Sequence, residues 1–331
     1  MKQAVILSGF LITLTFLLAL LAAGLQRGWM PEAADVGQGT VQADGQDAAA
    51  VDPQITLRLK TGGSVEPVTL QAYLTGVLAC EMPLDFDQAA LQAQAVAART
   101  FTLYQCAHGK HTDCDVCDDS ACCQAWAPET ALADRFGDGW EDARQRALDA
   151  VTATDGVVLT SDGALIDAVY FACSGGRTEA AAAVWGTDVP YLQAVDSPGE
   201  EQAASYTGQV DVTFADFCST LQAQDPAVVL TGTAASWFGD VTQTPGGGVA
   251  TMVIGGRPFT GTQLRQLFGL NSTCFTVAVT QDGIEFTTKG KGHRVGMSQY
   301  GAQAMAQAGS DYAEILQHYY TGAALTAYVP S

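Results

Sequence analysis

Glu81 is the first residue whose type and setting could do chemistry. It closes the run Tyr73-Leu-Thr-Gly-Val-Leu-Ala-Cys-Glu-Met-Pro83, in which Pro83 biases Met82 away from helical angles and so predicts a helix end at the carboxylate. The partial negative charge of a helix C-terminus disfavours an ionised side chain there, and burial disfavours it further. Both raise the pKa, which a general acid working near neutrality requires. A second concentration of functional groups lies far along the chain, in Gly292-His-Arg-Val-Gly-Met-Ser-Gln-Tyr-Gly-Ala302. There His293, Ser298, Gln299 and Tyr300 are candidates to line a cleft, although a lone His also serves often as a structural residue.

The third cluster is made of thiols and imidazoles. The chain has nine Cys, and His108, His111, Cys114, Cys117, Cys122 and Cys123 crowd into one short segment. Disulfides between such near neighbours are sterically awkward, and an odd total leaves one thiol over. Zn²⁺ takes Cys and His at short spacings. Zinc, a disulfide and free thiols all remain open from the residues alone.

These groups need elements to hold them. Leu70, Tyr73, Leu74, Val77 and Leu78 recur at helical spacing and predict a helix over about 69–81. Asp87 is placed to cap a second helix, Ala-rich, running to about Tyr104. A further helix is expected from Arg135 to Val151, then strands at Gly156–Thr160 and Leu165–Phe171. Residues 205–260 are poorly legible. Thr262–Phe268 reads as a helix, and Phe275–Val279 with Gly283–Thr288 as a hairpin around Gln281-Asp-Gly. Two closing helices are expected: Met297–Ala308, stopped by Gly309, and Asp311–Tyr320, started by the capping box Asp311-x-x-Glu314. His318, Tyr319 and Tyr320 read as core or surface positions of the last one. Strands and helices mix without βαβ regularity, so the class is α+β, with helices and short antiparallel strands around a cleft.

With 35 carboxylates against 15 cations the net charge is −20, which argues against nucleic acid and anionic lipid as partners. Uncharged glycan is compatible. Ala4–Leu25 carries no charge and is long enough to span a bilayer, so 1–28 is expected to be a single-pass anchor with the rest outside the cytoplasm; a cleavable signal ending near Ala22-Ala-Gly24 is the alternative. Residues 29–53, poor in large apolar side chains, are expected to be a disordered acidic stalk. A folded domain over 54–322 and a C-terminal tail over 323–331 complete the expected organisation.

The Glu-Met-Pro run, the element Ala93-Gln-Ala-Val-Ala-Ala-Arg-Thr100, Cys173-Ser-Gly-Gly-Arg-Thr-Glu179, Val184-Trp-Gly-Thr-Asp-Val-Pro-Tyr-Leu192 and the His293 motif together resemble the stage II sporulation protein D family. The resemblance extends from about Leu57 to Tyr320. It implies a membrane-anchored lytic transglycosylase of spore-former engulfment, cutting peptidoglycan strands already stripped of stem peptides and leaving 1,6-anhydro-muramic ends. It further implies Glu81 as the catalytic acid, with Arg99, Ser174, Tyr191, His293, Ser298, Gln299 and Tyr300 toward substrate. From its residue type, Arg99 could equally hold two helices as a buried ion pair. The resemblance also implies zinc at Cys117 and Cys122, with His111, Cys114 and Cys123 as further possible ligands, and stage II sporulation proteins P and M as partners. Three positions depart from the family pattern. Phe171 stands where a His is frequent, Gln193 where a Lys is frequent, and Arg294 where a Gly is commoner. An Arg at positive φ would be strained, so that loop is expected to be shaped differently. Related domains occur in amidase enhancers, which makes a non-catalytic glycan-binding module the rival reading. A zinc hydrolase is a third, disfavoured by a thiolate-rich cluster.

Overall fold

The computed structural model describes residues 50–330. The expected anchor and most of the expected stalk lie outside these residues. Among the described residues, no helix is long and apolar enough to cross a membrane.

The hairpin β1 (Thr56–Thr61) and β2 (Ser64–Thr69) leads into α1 (Leu70–Glu81), whose start is capped by the Thr69 side chain accepting from the Ala72 N–H. Met82 is extended at φ −126° and ψ 150°, as Pro83 demands. The Ala-rich α2 (Gln88–Ala107) runs through the centre of the larger core, with Ala90, Ala93, Ala95, Ala97 and Ala98 buried. Small side chains let the neighbouring helices come close. Asp87 precedes α2 but does not cap it with its side chain, which accepts instead from Gln303.

Beyond a two-residue strand, β3 (Val116–Cys117), the helix expected over 135–151 is two helices. Gly137, at φ 58°, ends α3 (Glu129–Phe136), and α4 (Trp140–Ala153) starts after a turn. The chain continues through β4 (Val157–Ser161), β5 (Ala164–Leu165), β6 (Tyr170–Phe171) and the short α5 (Ala181–Trp185). The strand expected over 165–171 is therefore interrupted: Leu165 pairs with Thr160 of β4, and Tyr170 and Phe171 pair in parallel with β13 (Met297–Ser298). Two helices, α8 (Gln299–Gln307) and α9 (Tyr312–Tyr319), close this core against α2. The expected capping box of α9 is present in both directions.

The poorly legible region builds a second, aromatic core. It is held by β7 (Thr207–Thr213), α6 (Phe214–Gln224), β8 (Phe238–Gln243), β9 (Val249–Ile254), β10 (Arg257–Thr260), α7 (Gly261–Phe268), β11 (Phe275–Val279) and β12 (Gly283–Lys289). Phe217, Phe268 and Phe286 stack at its centre, with ring centroids 5.1–6.4 Å apart. The β11–β12 hairpin forms as expected and pairs on its other edge with β7. The α+β class holds.

The folded body extends past both expected boundaries. Asp52, expected in the stalk, is fully buried, and β14 (Ala324–Ala327), expected in a tail, pairs antiparallel with β4.

Candidate active site

Glu81 is the last residue of α1, half-buried, and it opens onto a cavity of about 470 Å³. Its Oε1 accepts the backbone N–H of Ala125 at 2.7 Å. Burial raises its pKa above the ordinary Glu range, against the opposing pull of the Ala125 N–H and the Gln299 carboxamide. The same cavity is lined by Phe101, Gln124, Tyr170, Phe171, Lys291 and His293. Among the described residues, Glu81 is the one carboxylate on its wall.

The floor is a hydrogen-bonded layer. Tyr170 donates to Gln124 Oε1 at 2.7 Å, and Gln124 Nε2 donates to Thr102 of α2 at 2.9 Å. Because Gln124 and Ala125 are consecutive, this bond and the Ala125 N–H fix one short segment against Glu81. The far wall is the His293 loop, laid on β6. Gly296, at φ 78°, passes so close that a Cβ would sit 2.1 Å from the Val169 carbonyl oxygen, and a Cβ on Gly292, at φ 114°, would meet Phe171 at 2.8 Å. Neither position accepts a side chain.

His293 is at the site as expected. Its ring packs 5.6 Å from Phe171 and 5.4 Å from the half-exposed Trp185. Burial, aided by the nearby Arg265 charge, lowers its pKa to about 4. It is therefore neutral at pH 7, and since Nδ1 accepts from the Val295 N–H at 3.1 Å, Nε2 carries the proton. Gln299, expected to line the cleft, is instead buried next to Glu81 and off the cavity wall, with its amide donating to buried Gln94 at 3.4 Å.

Five other candidates do not face the cavity. Arg99 is fully buried and holds Asp52 at 2.6 Å, while donating to the Val151 and Val157 carbonyls. It is in a buried ion pair, though with the turn at Asp52 rather than between the two helices. Ser174 is buried and donates to Glu200 at 3.0 Å. Ser298 is buried as the cap of α8, accepting from the Gly301 N–H. Tyr300 packs edge-on to Phe86 at 5.2 Å, and the Tyr191 hydroxyl accepts the Asp167 N–H at 3.1 Å. These are structural positions within a motif that also carries the site. Sequence reasoning passed over Tyr170 and Lys291; the usable signal for Lys291 was a cation flanked by glycines in a chain so short of cations.

Gln193 is held locally by Asp188 and the Val189 carbonyl. Arg294 does adopt positive φ, 66°, so the loop keeps the shape a glycine would give it. The strain is offset by its side chain, which is buried, pairs with Glu179 at 3.2 Å and donates to the carbonyls of Ser174, Arg177 and Gly246.

Next to the cavity, the donor atoms of His111, Cys117, Cys122 and Cys123 all lie within 4.8 Å of one another, with His111 Nε2 3.1 Å from Cys123 Sγ. Three thiols and an imidazole so gathered fit the tetrahedral S/N set of a structural zinc site. Cys114 groups instead with His111 and Asp113. Among the described residues no two Cys are joined in a disulfide.

A family model described as stage II sporulation protein matches residues 60–161. The chain is 38% identical to stage II sporulation protein D of Bacillus subtilis over 78% of its own length and 75% of that protein. It is 36% identical to the protein of that name from Bacillus amyloliquefaciens, covering 78% and 74%. An amidase enhancer of Bacillus subtilis is 28% identical, but only 40% of that longer protein is covered.

Proposed function

The chain belongs to the stage II sporulation protein D family, and on that premise we propose that it is a peptidoglycan lytic transglycosylase of sporulation, with Glu81 as its single acid and base. The observation that supports this most is the lone carboxylate on the cavity wall, with its pKa raised by burial. Protonated Glu81 gives its proton to the oxygen bridging N-acetylmuramic acid to N-acetylglucosamine, and the C1–O bond breaks. The carboxylate so formed takes the proton of the muramic C6 hydroxyl, whose oxygen closes on C1. The products are a free sugar hydroxyl and a 1,6-anhydro end, with no water consumed. Hydrolysis would call for a second carboxylate across the bond, about 5–9.5 Å away. Neutral His293 supplies a hydrogen-bond donor without adding charge.

Mass spectrometry of products formed in ¹⁸O-water tests the reading. Unlabelled anhydro ends are expected, and label at a new reducing end would show hydrolysis. Tight binding of strands without any cleavage would favour the rival binding module. Cleavage should also decline as pH rises through the raised Glu81 pKa, because only the protonated form can begin the reaction.

Zinc held by His111, Cys117, Cys122 and Cys123 belongs to the same reading. Four protein donors leave no open position, so the metal would stabilise the fold rather than act on substrate. About one equivalent is expected in protein purified without chelators. Cys117→Ala should lose that metal and lower the melting temperature; full retention of both would overturn the assignment. Stage II sporulation proteins P and M are the partners proposed to act beside it, the first removing stem peptides. A single-pass membrane anchor is proposed for the N-terminal segment.

A further inference from the structure

Among the described residues, Lys291 is the one cation on the wall of the Glu81 cavity. Its backbone is fixed by two bonds to Cys173, accepting at 3.2 Å and donating at 2.7 Å, while its side chain is exposed. Seven other basic residues are held in ion pairs, yet Lys291 has no anionic partner among the described residues. In a chain of net charge −20, an unpaired ammonium on the wall of this cavity has no evident structural task. With His293 neutral, Lys291 gives the cavity wall a local positive charge.

A muramic acid residue carries a lactyl carboxyl group. In strands with stem peptides that group is tied up as an amide, and removal of the peptide releases it as a carboxylate. We propose that Lys291 recognises this free lactyl carboxylate and so selects strands from which the peptide has gone. The proposal rests on the glycan-cleaving reading above and deepens it. Peptide removal then does more than clear space, since it creates the charge the cavity is built to meet. The acidic body gives the idea a sharp sign. Without a local cation the protein should bind neutral strands better than anionic ones.

The test compares denuded glycan strands with the same strands methylamidated at the lactyl carboxyl. Wild type is expected to prefer the free carboxylate, by about five- to tenfold in kcat/KM, most of it in KM. Lys291→Gln should lose that preference by failing on free strands only, and Lys291→Arg should restore it. Equal use of both strands by wild type, or an equal loss on both in Lys291→Gln, would overturn the proposal. Binding of the two strands to Glu81→Gln, with and without Lys291→Gln, reads the same contrast with no turnover. If wild type cleaves neither strand yet binding still favours the carboxylate through Lys291, the lytic reading fails and the recognition stands. If cleavage is intact and neither readout depends on the carboxylate, the recognition fails alone.

Discussion

Glu81→Gln should abolish strand cleavage while leaving the protein folded and able to hold glycan. The substitution keeps the shape of the side chain and an oxygen for the Ala125 N–H at its 2.7 Å distance, so the cavity floor has no reason to move. What it removes is the proton that the bridging oxygen must receive. A fall of about 10²–10⁴-fold in rate is the ordinary scale for losing such a group. With no other carboxylate on the cavity wall to substitute, the upper end is expected. Turnover within tenfold of wild type, with an unchanged melting temperature, would remove Glu81 from its role.

Arg99→Leu is expected to destabilise the fold by about 3–5 kcal/mol, because it leaves the Asp52 carboxylate buried without its partner. The Val151 and Val157 carbonyls lose donors at the same stroke. Lys at this position should rescue little, since its point charge cannot reproduce the forked contacts to Asp52 and both carbonyls. Urea unfolding measures the loss. A stable variant with a raised KM would instead return Arg99 to substrate binding, against its burial.

The local parts of this fold were legible because local rules specify them. Pro83 ends α1 at Glu81, the Asp311–Glu314 box starts α9, and Gln281-Asp-Gly turns a hairpin, each by the chemistry of neighbouring residues. The partner of Arg99 was not legible. Asp52 lies 47 residues upstream in a stretch with no apolar period, and only the closed core brings the two together. The second core was hidden for a related reason: its strands are short, and Phe217, Phe268 and Phe286 come from three separate elements. At the candidate site, motif membership brought in His293 on the cavity wall and Gln299 buried beside Glu81. It could not separate them from Ser298 and Tyr300 next door, because helix phase and capping turn those two away from the cavity.

The Arg294–Glu179 pair constrains how this chain can change over generations. A mutation of Arg294 to Gly would relieve the positive φ, worth about 1–2 kcal/mol. It would also strand a fully buried carboxylate and empty the place of a buried guanidinium, a larger loss. Replacing Glu179 first would leave the guanidinium unpaired in the same interior. Neither single step is downhill from this structure, so in this chain the two positions are energetically coupled. A loop carrying Arg294 therefore needs Glu179 opposite it, whereas Glu179 itself belongs to the motif this chain shares with a family in which Gly is commoner at 294.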